Sequence, residues 1–325
     1  MTRRECFQAT MQHRQPARTP IDIGGTSLTG IRPGCQTRLR ELLGFSGPPV
    51  PSGSGVDERL LQWAGTDFRC VGSIVRLPAN PRLAETYPGL VLNEWGMGEV
   101  NDCGGRRKFY PLADSSLANL KAFPWPEPRI DEKVLAAWQA EAKRLQAEGE
   151  YVVVAHHPVF GILELGCWMC GYDHFLFKMA EEPDFVRYFF ERFYAIQKAI
   201  IDEYYAALGP YVDLTISGDD FGMQNGPLVS PTMFAELIVP WFRERIQRTK
   251  KRAPGCLYWH HSCGSIARLL DQIIDCGVDI LNPIQTSAAE MDPESLKRRF
   301  GERIVFWGAV DVQQFLPYAT NAEIR

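Results

Sequence analysis

His261-Ser262-Cys263 sets an imidazole and a thiol two residues apart in a chain with only six histidines. Imidazole nitrogen and thiolate sulfur are the preferred ligands of zinc, and the turn after a strand can aim both at one ion. A catalytic zinc takes three protein ligands and keeps one position open, so this pair needs a third donor. Glu164, the single charge in Gly161-Ile162-Leu163-Glu164-Leu165-Gly166, is one candidate. Cys167 and Cys170 are others, as is a residue beyond Arg325. The plainer alternative is a Cys263 packed under a helix start and a His261 that only hydrogen-bonds. Cys167 and Cys170 form no second pair with other cysteines and fall within an expected helix, so they read as structural.

Asp219-Asp220 is the second candidate. Adjacent carboxylates can ionise differently, which gives an acid–base pair or an anchor for polar substrate groups. Alternatively, one of them caps a loop through backbone amides, as aspartate commonly does. Successive side chains point opposite ways, so each aspartate is expected to take one of these tasks. His156-His157 ends a strand before Pro158. One ring should face the site and the other the wall, and His156 joins Asp219 and Asp220 among the acid–base candidates. Gln224, Asn282, Gln285, His157, Trp307 and Asp311 are expected to contact substrate, with loop stabilisation the alternative for the amides.

These residues need a scaffold that brings distant positions to one rim. Strands are expected at 20–24, 67–71, 151–156, 212–217, 256–261, 278–282 and 303–307, each a short apolar run bounded by turn residues. Helical periodicity marks 3–12, 33–44, 57–64, 131–148, 161–180, 183–208, 231–251, 265–276 and 293–300. Ser230 precedes Pro231 as an N-cap, and Pro240 should kink the helix that contains it. Strands alternating with helices imply parallel β-α-β units. The chain 1–325 therefore reads as one α/β domain, an eight-stranded (β/α) barrel of the TIM type. Its last strand and helix are expected beyond Arg325, with 73–112 a β-hairpin insertion beside it. An open doubly wound sheet is the alternative. The barrel is favoured because polar residues follow nearly every strand, and a barrel gathers such positions at one face. Four of the six histidines lie there.

Composition narrows the class. A net charge of −4 argues against a nucleic-acid partner, which usually meets a basic face. No apolar run approaches the length of a bilayer span, about 20 residues, and the N-terminus has no signal-peptide core. A cytoplasmic location is the default. Nine cysteines, an odd count in a large chain, do not suggest a disulfide framework.

The combination Ser217-Gly218-Asp219-Asp220-Phe221-Gly222-Met223-Gln224, His261-Ser262-Cys263-Gly264-Ser265, Asp279-Ile280-Leu281-Asn282-Pro283 and Phe306-Trp307-Gly308 resembles the uroporphyrinogen decarboxylase superfamily. True uroporphyrinogen decarboxylases carry an Arg-Gln-Ala-Gly-Arg motif after the first strand and a Ser-Asp-Ile-Leu motif after the second. Here those positions read Ile23-Gly24-Gly25-Thr26-Ser27 and Cys70-Val71-Gly72-Ser73, without the arginines or the aspartate. The chain is closer to the corrinoid-dependent methyltransferases of the methylcobamide:coenzyme M type, whose signature is His-x-Cys with a distant cysteine. That resemblance implies a zinc at His261 and Cys263, with the third ligand near or beyond Arg325, and a corrinoid as co-substrate; Glu164 stays a candidate for a further ligand. It implies methyl transfer to or from a small molecule. The alternatives are a decarboxylase acting on a tetrapyrrole or small acid, and a non-catalytic ligand-binding barrel. A small-molecule substrate, a corrinoid protein and a second copy in a homodimer are the expected partners; nucleic acid and membrane are not.

Overall fold

The computed structural model describes residues 1–102 and 105–324, and eight strands order these described residues. Cys103 lies outside the described residues. The strands are β1 (Phe68–Val71), β2 (Gly98–Asp102), β3 (Gly105–Phe109), β4 (Val152–His156), β5 (Leu214–Gly218), β6 (Leu257–His261), β7 (Ile280–Asn282) and β8 (Val305–Phe306). Six of them form a parallel sheet in the order β1-β4-β5-β6-β7-β8, with helices between successive members. β2 and β3 pair antiparallel, within a 73–112 segment that also holds a short helix, Arg82–Thr86.

Three aspartates set the register. Asp67, Asp213 and Asp279 each stand just ahead of a strand, in Thr66-Asp67-Phe68, Val212-Asp213-Leu214 and Val278-Asp279-Ile280. Each carboxylate accepts a backbone N–H from the preceding stave: Ile21 at 2.7 Å, Val153 at 2.8 Å and Tyr258 at 2.7 Å. Each backbone carbonyl accepts from the following one, at Val152, Leu257 and Val305. Basic side chains complete the clamps. Arg3 and Arg18 meet Asp67, Arg4 meets Asp213, and Lys250 meets Asp279.

This clamp also explains why the expected strand 20–24 is not one. Pro20 has no N–H, and the amides of Ile21 and Ile23 bond to the side chains of Asp67 and Thr66 instead of a backbone ladder. Gly24, at φ +76°, then turns the chain. The segment occupies a stave position, joined by one backbone bond, from the Asp67 amide to the Ile21 carbonyl, and otherwise by side chains.

Inside the curved sheet, Phe68, Val152, Val154, Leu214, Ile216, Trp259, Ile280 and Val305 form one cluster, with every sheet strand represented. Phe68 of β1 reaches Trp307, just past β8, at 4.6 Å between ring centroids, and Trp307 stacks on Trp259 at 4.4 Å. The two sheet edges thus meet across the interior, the curvature of a TIM-type barrel. Phe7, from the N-terminal helix Arg3–Met11, packs edge-on against Phe68 at 5.7 Å.

Outside, the helix Pro183–Leu208 buries Phe185, Phe189, Phe193, Ile196 and Ile200 at three- and four-residue spacing. Trp95, ahead of the hairpin, packs on Phe193 at 5.3 Å, so the insertion shares the outer core. Three helices depart from expectation. Gly171, at φ +90°, splits 161–180 into Ile162–Cys170 and Tyr172–Glu181. A π-turn at Phe234–Ile238 precedes Pro240, which cannot donate a backbone bond. The helix expected over 265–276 forms only at Leu270–Asp275, and the amides of Cys263, Gly264 and Ser265 ahead of it bond to neighbouring loops. No helix among the described residues is long and apolar enough to cross a membrane.

Phe7→Ala should lower unfolding free energy by about 3–5 kcal/mol, the usual cost of emptying a buried aromatic site. Urea denaturation checks this, with the midpoint falling and the slope unchanged.

Candidate metal and active site

The strand ends deliver the chemistry at one level. Gly218 pairs with His261, and His261 with Asn282, so β5, β6 and β7 finish side by side. Asp219 and Asp220 follow the first, Cys263 the second, and Asn282 closes the third.

Asn282 decides how His261 points. Its amide nitrogen donates to the Trp307 carbonyl at 3.0 Å, which leaves Oδ1 to accept from His261 Nδ1 at 2.7 Å. The imidazole is therefore protonated on Nδ1, and the Nε2 lone pair faces the Cys263 thiol, from which it accepts. That lone pair lies 3.4 Å from Cys263 Sγ and 3.9 Å from Asp220 Oδ1. The ligand atoms of Asp220, His261 and Cys263 all fall within 4.8 Å of one another. Ligands on one tetrahedral zinc, with bonds of about 2.0–2.3 Å, stand roughly 3.3–3.8 Å apart. The three donors are thus near coordination spacing, and an oriented histidine with a hydrogen-bonded second nitrogen is the usual companion of a metal. Nitrogen, sulfur and carboxylate oxygen suit zinc.

The two adjacent aspartates point to different partners. Asp219 is fully buried, and its carboxylate accepts the N–H groups of Ile162, Leu163 and Glu164 at 2.7, 3.1 and 2.9 Å. It caps the helix Ile162–Cys170 from another loop, and Gly161 is needed there because a Cβ would strike the carboxylate at 2.5 Å. Burial pushes Asp219 up to about 6, opposed by the three amides and by the Arg245 guanidinium. It is a helix cap and not an acid–base group at the mouth. Asp220 points the other way, accepts from the Cys263 amide at 2.7 Å and joins the donor cluster.

Glu164 stands beside the cluster and not among its three donors. Burial, then the charges of Asp219 and Asp220, push its carboxyl up to about 8. Burial, then Asp220 and Glu164, raise Cys263 to about 11.

The other candidates sort by their partners. His156 donates from Nδ1 to the His157 carbonyl at 3.0 Å, and burial holds its pKa below the usual histidine value. His157 is the wall residue. It accepts from Arg245 at 3.1 Å on Nδ1 and bonds Thr249 Oγ1 at 3.2 Å, fully buried, so it has no access to substrate. Gln285 accepts from the Gly264 amide at 2.8 Å and donates to Gln224 at 3.1 Å, while Gln224 donates to the Ser287 carbonyl. The two glutamines brace loops. Trp307 is a ring of the barrel interior, and Asp311 caps Gln313 and Gln314. Cys167 and Cys170 are buried, as expected of structural residues.

Arg245 was not singled out from the sequence. It is fully buried, donates to His157 and to the Val159 carbonyl, and offsets the charge of Asp219. A signal exists: it falls beside the apolar positions Phe242 and Ile246 on the buried face of its helix.

The family model described as uroporphyrinogen decarboxylase (URO-D) matches residues 134–325, well over half of the chain. The chain belongs to the uroporphyrinogen decarboxylase family. The matched span carries every donor and brace described above. Among solved structures, a methyltransferase from Methanosarcina mazei superposes with a TM-score of 0.54 at 14% identity. The likeness covers 95% of this chain and 83% of that one, and it establishes a shared fold. No curated protein sequence matches this uroporphyrinogen decarboxylase family chain.

Asp219→Ala should cost about 2–4 kcal/mol by orphaning three buried amides, whereas Asp220→Ala should leave stability within about 1 kcal/mol. Thermal unfolding of both variants distinguishes the cap from the donor. Zinc affinity should rise about tenfold per pH unit between pH 6 and 8, since Cys263 must lose its proton to bind. Asn282→Ala should weaken zinc binding about 10–100-fold. Calorimetry in buffers of different ionisation enthalpy measures the protons released.

Proposed function

We propose that this chain is a methyltransferase-like enzyme that transfers a methyl group between a corrinoid co-substrate and a small acceptor, with zinc held by Asp220, His261 and Cys263. The observation that carries this reading is the convergence of those three ligand atoms within 4.8 Å, around a histidine whose tautomer Asn282 fixes. Family membership and the fold shared with a methyltransferase agree with it.

Zinc bound there would act as a Lewis acid, favouring the thiolate form of an acceptor thiol. The chain's own residues do the positioning. Asn282 keeps Nδ1 of His261 protonated and Nε2 directed at the cluster. Asp220, through the Cys263 amide, ties the β5 and β6 loops together before any ligand arrives. Glu164, raised to about 8, holds a proton beside the cluster at neutral pH, suited to a group that gains negative charge.

Decarboxylation of a porphyrinogen fits less well. Three carboxyl groups, Glu164, Asp219 and Asp220, already oppose one another at this rim. A substrate with many carboxylates needs cationic partners, and the first loop offers Gly24-Gly25-Thr26 where arginines would serve.

Metal analysis of the purified chain should find about one zinc per protein. Methylcobalamin should then lose its cobalt–carbon absorbance on addition of a small thiol, and His261→Ala should slow this at least about 100-fold. A protein without zinc whose methyl transfer is indifferent to His261→Ala would overturn the proposal. Carbon dioxide release without cobalamin would favour the decarboxylase, and corrinoid binding without turnover a ligand-binding barrel.

A further inference from the structure

A second cavity, of roughly 530 Å³, lies between the hairpin and the helix Ile162–Cys170. Small-molecule sites occupy about 300–1,000 Å³. Met97, Phe109, Tyr110, Cys167, Trp168 and Tyr172 line it, so four of its walls are aromatic rings. Two of those rings are set by neighbours: Trp168 meets Phe160 edge-on at 5.4 Å, and Phe109 meets Tyr87 edge-on at 5.2 Å.

Its position relates it to the donor cluster. Seven of the nine residues of the helix Ile162–Cys170 are buried, and only Glu164 and Trp168 are partly exposed. Residues four apart share a helix face and are separated by about 6 Å along the axis. The helix therefore shows one accessible stripe, with Glu164 beside Asp220 at one end and Trp168 in the cavity at the other. Tyr172 opens the next helix close enough to Glu164 and Asp220 for their charges to act on its hydroxyl.

We propose that this cavity is a substrate subsite for a flat aromatic ring, with the ring held among Trp168, Tyr172, Tyr110 and Phe109 and its polar substituent reaching toward Glu164. Ring against ring adds directional electrostatics that an aliphatic ring of similar volume lacks. The direction of the substituent rests on the reading of the Asp220–His261–Cys263 cluster as the reactive centre. Ring binding itself does not.

The test uses the whole chain, first stripped of metal, titrated with phenol and with cyclohexanol by isothermal calorimetry. Phenol should bind saturably and at least about fivefold more tightly than cyclohexanol. Trp168→Leu should weaken phenol roughly tenfold, and Tyr110→Ala, at an exposed position that does not threaten folding, about three- to fivefold. His261→Ala should leave phenol binding unchanged while removing zinc. Equal binding of the two probes, no binding of either, or phenol affinity untouched in both aromatic variants would overturn the subsite. The two readings fail separately. Loss of ring binding in a chain that still binds zinc and transfers methyl removes the subsite alone. Ring binding in a chain without zinc or methyl transfer removes only the reactive-centre reading.

Discussion

The geometry of the rim depends on strand register, and register here is fixed by carboxylates at the opposite end of the sheet. Asp67, Asp213 and Asp279 each grip an amide of the preceding stave and lend a carbonyl to the next. A parallel strand that slips by one residue exchanges its inward and outward side chains. Such a slip in β6 would turn His261 away from Asn282 and bring His260 to its place. His260 is instead fully buried and stacked on Phe221. The same clamps carry basic partners from the N-terminal helix and from the helix Val239–Arg252, so outer elements report on inner register.

Above that base, the site is built by loops that bond to each other more than to themselves. The Cys263 amide goes to Asp220, the Gly264 amide to Gln285 and the Ser265 amide to Met223. Asp219 reaches back to the helix that bears Glu164. The negative charge gathered there has a physical consequence: beside burial, the charges of Asp219 and Asp220 raise Glu164, and the buried Arg245 offsets only part of it. A cation placed among them would relieve the repulsion that the fold tolerates.

Much of this was legible in the sequence. The strands at 152–156, 214–218, 257–261 and 280–282 were marked by short apolar runs ending in polar residues, and the helix 183–208 by its aromatic periodicity. His261 and Cys263 stood out because ligand chemistry is local to two residues. The opposed duties of Asp219 and Asp220 followed from alternation along an extended chain. Which aspartate took which duty did not, because the amides that claim Asp219 lie 55 to 57 residues away. That Asp220, and not Glu164, stands within 4.8 Å of the His261 and Cys263 ligand atoms was hidden for the same reason. The stave at 20–24 failed as a strand because all but one of its bonds to Thr66 and Asp67 run through side chains, which no periodicity records. Gln224 and Gln285 were given to substrate because an amide that braces a loop and one that grips a ligand look alike in one dimension.

The meeting of Phe68 with Trp307 implies something about how the molecule breathes. Backbone hydrogen bonds join β1, β4, β5, β6, β7 and β8 in series, yet among the described residues no such ladder joins β1 to β8, and Phe68 meets Trp307, just past β8, ring to ring. That seam has no amide ladder to protect, so deuterium should enter the sheet from both margins and reach β5 and β6 last. The strands that carry Asp220, His261 and Cys263 occupy the slowest-exchanging middle, where local opening is rarest.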